Sequence, residues 1–192
     1  VGIDLALHVA TGRDWCGRKV KKAPVLYIVA EKWHGFKKRI KGWVEYFGVE
    51  IEGLEIFCHT APIQLLKGEV GKLMDLSREI EKRTGQMPGL IVMDTLACCL
   101  EGGDENEAKD ISRFLNRLRK VLNLTGGHAS VVHHSGKKYG SKERGSSALR
   151  GGFESMLRVS KKADCLVIKD DKESDLKPAE DLHFELKQTP DG

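Results

Sequence analysis

No apolar run in the 192-residue chain approaches the roughly 18 residues needed to span a bilayer. The N-terminus also lacks a basic flank leading into an apolar stretch and a small-residue cleavage site, so membrane insertion and secretion are not expected. The cysteines Cys16, Cys58, Cys98, Cys99 and Cys165 are odd in number and contain no C-x-x-C spacing. A disulfide framework or structural zinc site is therefore not expected, and a reducing cytoplasm fits. There is no internal repeat, heptad run or low-complexity tail. What remains is 40% apolar and 31% charged residues with a net charge of +4, the profile of one soluble globular domain over residues 1–192.

Apolar spacing organises this domain as strands alternating with helices. Val1 to Ala10 has helical spacing and is closed by Thr11-Gly12. After a basic turn, Pro24 to Ala30 is a continuous apolar run of strand length ending at Glu31, as expected of a buried parallel strand. Helices are expected near Phe36 to Phe47, Leu65 to Thr84 and Glu105 to Leu122, and strands near Leu54 to Cys58, Gly89 to Asp94 and Ala129 to His133. The pattern implies an α/β fold, a mostly parallel twisted sheet with helices on both faces. Ser155 to Val159, Ala163 to Ile168 and Leu182 to Leu186 leave no room for helices between them. They are expected to form a C-terminal antiparallel edge on the parallel sheet. The polar stretch 170–181 reads as a hairpin loop, and 135–150 as a long segment without periodicity.

Ligands of parallel α/β sheets sit beyond the carboxyl ends of the strands. Three strands end there in costly residues: Glu31 after Tyr27 to Ala30, Asp94 after Leu90 to Met93, and His133-His134 after Val131-Val132. One acid after a strand is often only a helix cap. Three such tips on one edge form a stronger pattern. An apolar strand ending in Asp94-Thr95 matches the arrangement that holds Mg²⁺ through water beside a triphosphate. A glutamate on a neighbouring strand suits orienting or deprotonating the attacking water, and a histidine one strand further suits a hydrogen bond to the γ-phosphate. Asp94, Thr95 and His133 are accordingly candidate nucleotide-binding residues, with Asp94 the candidate metal carboxylate.

No G-x-x-x-x-G-K-[ST] loop is present to cradle the phosphates. The helix at Val1 to Ala10 has the character of the one that follows such a loop, so the loop is expected immediately upstream of Val1. These residues alone are then expected to bind ATP poorly.

Val1 to Gly12, Ala30-Glu31, Leu90 to Thr95, Val132 to Lys137 and Arg144 to Gly151, in that order, resemble the RecA-like ATPase core of the RepA-type replicative helicases of phages, plasmids and prophages. The most specific piece is His133-His134-Ser135-Gly136-Lys137 followed by Arg-Gly-Ser-Ser-Ala-Leu-Arg-Gly. The resemblance implies a RecA-like core that assembles into a hexameric ring, hydrolyses ATP with Mg²⁺ between subunits and acts in DNA replication on single-stranded DNA. It also implies a possible primase or loader partner. By position, Asp94 resembles the Walker B carboxylate, Glu31 the catalytic glutamate and His134 the γ-phosphate sensor. Alternation along the strand would send His133 and His134 to opposite sides, so at most one of them is expected to face the nucleotide. A cation supplied by the adjacent subunit falls nearest Lys161, with Lys162 and Arg158 as alternatives.

Lys137, Lys138, Lys142, Arg144 and Arg150 stand against Glu143 alone in the 135–150 segment, a net +4 equal to that of the whole chain. This is where the family carries its channel-facing DNA loop, and such charges track phosphates without reading bases. Its sole aromatic is Tyr139, which limits stacking. A solvated surface loop has the same composition, and Arg144 and Arg150 equally suit a reach across the interface to the nucleotide. Lys37, Lys38, Arg39 and Lys41 read as the solvated or subunit-contacting face of a helix, with Trp33 and Trp43 packing beside it. Asp104 to Glu107 and Asp110 read as acids at the start of the following helix. The rival reading is a RecA-like nucleotide-sensing or scaffold module that does not unwind DNA.

Overall fold

The computed structural model describes residues 1–31, 33–134, 147–163, 165–173, 179–187 and 189. Helix α1 (Gly2–Thr11) buries Ile3, Ala6, Leu7 and Ala10. It stops at Gly12, whose φ of 71° turns its N–H back to the carbonyls of His8 and Val9. Strand β1 (Val25–Val29) is buried along its whole length, with every residue 2% exposed or less. Helix α2 (Trp33–Phe47) then leads to β2 (Ile56–His59).

The helix expected over Leu65 to Thr84 is broken. A 3-10 turn at Leu65–Lys67 ends at Gly68, where φ is 93°, and α3 (Val70–Thr84) starts after it. A left-handed residue cannot continue a right-handed helix, and glycine adopts it without cost. The chain continues through β3 (Leu90–Asp94), the short α4 (Leu96–Cys99), α5 (Ala108–Thr125) and β4 (His128–Val132). These strands form one parallel sheet in the order β2-β1-β3-β4.

Successive side chains along the central strands enter different layers. Leu26, Ile28, Ile91 and Met93 pack with Leu73 and Ile80 of α3 and Ile111, Phe114 and Leu118 of α5. Val25, Tyr27, Val29 and Val92 pack with Leu7 of α1 and Phe36 and Trp43 of α2. A sheet covered on both faces follows directly from strands that are apolar at every position. No helix among the described residues is long and apolar enough to cross a membrane.

After α6 (Ser147–Gly152), β5 (Ser155–Lys162), β6 (Cys165–Glu173) and β7 (Leu182–Glu185) pair antiparallel as expected. They form a sheet of their own instead of an edge on the parallel one. The outer strand β5 alternates exposed and half-buried residues for most of its length, whereas the central parallel strands are covered on both faces. Side chains join this sheet to the body. Phe184 stacks on Trp15 at 6.0 Å between ring centroids, and Lys172 Nζ donates to the carbonyls of Arg150, at 2.7 Å, and Phe153. Residues 170–173, read as loop, instead complete β6, because Arg158 and Ser155 on β5 meet Asp171 and Glu173 across the ladder.

Candidate nucleotide site

Sheet register brings the three tips together. Val29 on β1 pairs with Asp94 on β3, and Asp94 pairs with Val132 on β4. The Ala30 N–H extends the ladder by donating to the Asp94 carbonyl at 2.9 Å. Adjacent strands lie about 4.8 Å apart, so Glu31, Asp94-Thr95 and His133 emerge side by side at one sheet edge. The Asp94–Thr95 peptide is cis.

Two hydrogen-bonded groups are built there. Thr95 Oγ1 donates to Glu31 Oε1 at 3.2 Å, and Cys98 Sγ, one turn later in α4, donates to the same oxygen at 3.1 Å. Tyr27 OH, two residues before the end of β1, donates to Asp94 Oδ2 at 2.9 Å. Burial, followed by the Asp94 charge and hydrogen bond, raises the Tyr27 hydroxyl well above the ordinary tyrosine range, so it stays a donor. Burial also raises Cys98, with its bond to Glu31 adding to the effect, so the thiol keeps its proton.

The start of α1 points at this edge. A Cβ on Gly2 would lie 3.4 Å from Tyr27 OH and 3.8 Å from Val132 Cγ2. Arg39, read in the sequence as part of a surface stripe, carries a positive charge that acts on the Tyr27 hydroxyl, opposing the rise that burial and Asp94 cause.

The histidines differ from expectation. Strand β4 ends at Val132, so strict strand alternation does not extend to the residues after it. His133 and His134 both line one cavity of about 420 Å³, together with Thr95, Asp104, Glu105 and Asn106. His133 Nδ1 lies 3.8 Å from Glu105 Oε2, and both side chains are largely buried. Glu105 is therefore not a helix-start residue. Helix α5 begins at Ala108, and the preceding turn is held by Asp104 Oδ1 accepting from the Asn106 N–H and by Asp110 accepting from the Asp104 N–H. Glu31 and Asp94 do not line this cavity, and Thr95 touches both groups.

The remaining candidates lie elsewhere. Lys161 is exposed on β5, opposite Leu166, in the antiparallel sheet and not with the strand tips. Arg158 Nη2 pairs with Asp171 Oδ2 at 2.9 Å, and Arg150, on α6, pairs with the same oxygen through Nη1 at 3.1 Å. Arg150 is thus helical and engaged by an acid, where the sequence suggested an aperiodic loop. Lys137, Lys138, Tyr139, Lys142 and Arg144 lie outside the described residues. Trp33 and Trp43 pack as expected, Trp43 also donating Nε1 to Asp4 at 2.9 Å.

The donor set fits a magnesium nucleotide. Among the described residues no cluster of His, Cys, Asp and Glu would cage a metal by itself. Asp94 offers a single carboxylate at the edge, with Oδ2 taken by Tyr27 and no described residue hydrogen-bonded to Oδ1. Mg²⁺ characteristically takes one or two carboxylates and completes its shell with water and phosphate oxygens. Tyr27, Cys98, Arg39 and Glu105 were not among the site residues expected from the sequence. Only Tyr27 carried a signal, as the one hydroxyl in an otherwise apolar strand, which must find a partner once buried.

The fold is shared with a solved structure described as the RadB recombinase. The two are 16% identical with a TM-score of 0.58, over 86% of this chain and 76% of that one. No match is found among curated proteins. The parallel sheet, the layered helices and this structural likeness are those of a RecA-like α/β fold. Residues 1–140 match the family model described as AAA domain, and the chain belongs to that family.

Proposed function

We propose that this chain is the ATPase motor core of a RepA-type hexameric DNA helicase that acts in replication, with residues 1–192 forming a single RecA-like unit. The observation that carries the reading is the Thr95–Glu31 hydrogen bond beside the Tyr27–Asp94 pair, at the edge toward which α1 begins. A helix N-terminus favours phosphate, and an acid on each of two adjacent strand tips suits the metal and water sides of phosphoryl transfer.

In this reading Asp94 would hold Mg²⁺ with the phosphates, and a bound Mg²⁺ would supply charge neutralisation and orientation of the triphosphate. Glu31, held by Thr95 and Cys98, orients the attacking water and accepts its proton. His134, or His133 beside it, meets the γ-phosphate end and links its presence to the segment that follows. Lys161 is the cation offered to a neighbouring subunit's nucleotide, with Lys162 as its alternate. Lys137, Lys138, Lys142 and Arg144 track single-stranded DNA in the channel, whereas Arg150 positions α6 against β6 through Asp171. The name of the RadB neighbour, a recombinase, agrees with work on DNA. A cytoplasmic location and a primase or loader as partner belong to the same proposal.

The test measures ATP turnover with and without single-stranded DNA, and strand displacement, in a chain carrying the phosphate loop proposed upstream of Val1. DNA-stimulated turnover with unwinding supports the motor. ATP turnover indifferent to DNA, with no unwinding, assigns the non-unwinding module instead.

A further inference from the structure

We propose that Tyr27 is the positioning residue for Asp94: its hydroxyl occupies Oδ2 and so presents Oδ1 to the metal-bound nucleotide. The inference rests on the nucleotide site proposed above.

Strand β1 is otherwise Val, Leu, Ile and Val, and phenylalanine would fill the same buried space at position 27. The structure instead carries a hydroxyl there and spends it on one acceptor. Tyr27 pairs with Val92 in the sheet, so Asp94, two residues on, projects from the same face. The ring is fixed from several sides. It is 1% exposed, Phe36 of α2 lies 4.7 Å away between centroids, and Gly2 of α1 closes over the hydroxyl. A donor so held imposes one orientation on the carboxylate, and a phenol-to-carboxylate bond is charge-assisted and stronger than a neutral one. Were the hydroxyl merely satisfying its own burial, Asp94 would bind metal equally well without it.

The experiment titrates Mn²⁺-dependent binding of a fluorescent, non-hydrolysable ATP analogue to the wild-type chain, Y27F and D94N, each carrying the upstream phosphate loop, with melting temperatures measured alongside. Y27F is expected to raise half-saturating Mn²⁺ roughly tenfold, the scale of one charge-assisted hydrogen bond. At saturating Mn²⁺ its kcat should stay within about threefold of wild type, and its melting temperature should be close to wild type because the ring still packs. Unchanged Mn²⁺ dependence in Y27F, with D94N strongly weakened, overturns the role of Tyr27 and leaves the nucleotide site standing. D94N indistinguishable from wild type overturns the site and this inference together. A second measurement keeps Tyr27 in place. With Tyr46 and Tyr139 changed to Phe, Tyr27 is the only tyrosine left in residues 1–192. Its ultraviolet difference spectrum should shift when Mn²⁺ and the analogue are added, and D94N should abolish that shift. A spectrum that does not respond overturns the inference even if Y27F fails to fold.

Discussion

Thr95 Oγ1 donates to Glu31 Oε1 at 3.2 Å, so the residue that follows the acid of one strand holds the acid at the tip of the next. Thr95 is 2% exposed, which fixes the donor, while Glu31 itself is exposed at the edge. Its carboxylate is therefore presented from a rigid support.

Thr95→Val keeps the shape and removes the donor. Steady-state ATP turnover should fall by roughly tenfold with nucleotide affinity nearly unchanged, the size expected when a general base is misaligned but not removed. Cys98→Ala, which removes the second donor to the same oxygen, should cost less, because a thiol is a weak donor.

Asp171 joins β6 to both β5 and α6 by accepting from Arg158 and Arg150. Burial raises its carboxyl, but the two guanidinium hydrogen bonds and charges outweigh that, and the group sits below the ordinary aspartate value. The stability it supplies is fully present above the unfolded-state value of about 3.9 and is lost as pH falls through the lower folded value. Thermal melts should show Asp171→Asn destabilised at pH 7 by about 1 kcal/mol or less, with the difference shrinking as pH falls through the lowered Asp171 value.

Trp15 donates Nε1 to Asp4 at 2.8 Å and stacks on Phe184, tying the segment after α1 to β7. Trp15→Ala should cost about 3–5 kcal/mol in denaturant unfolding. Trp15→Phe, which keeps the stack while Trp43 still serves Asp4, should cost only about 1 kcal/mol.

Burial pushes the thiols of Cys58 and Cys99 up to about 11. Maleimide labelling at pH 7.5 followed by mass spectrometry should modify exposed Cys16 first and these two last, with all cysteines labelled in denaturant.

The layered sheet was legible because β1 and β3 are apolar at nearly every position, a pattern that only coverage on both faces explains. The tips Glu31 and Asp94 were legible for the same reason, since charge follows immediately on an apolar run. The independence of the β5-β6-β7 sheet was not, because alternation along a strand says which face is covered and not which strand lies beside it. Glu105 was read as a helix-end acid because its partner His133 is distant in sequence and the turn placing them together depends on Asp104 and Asp110. The break at Gly68 lies inside an apolar periodicity that continues across it, so the pattern alone runs the helix on.

The most direct measurement is Mg²⁺-dependent ATP hydrolysis by the chain extended to carry the proposed upstream phosphate loop, compared with Glu31→Gln and Asp94→Asn. A nucleotide site built on these two acids requires that Glu31→Gln bind ATP as wild type does but turn over roughly 10²–10⁴-fold more slowly, and that Asp94→Asn lose metal-dependent binding. Wild-type turnover in Glu31→Gln, or unchanged metal dependence in Asp94→Asn, would contradict it.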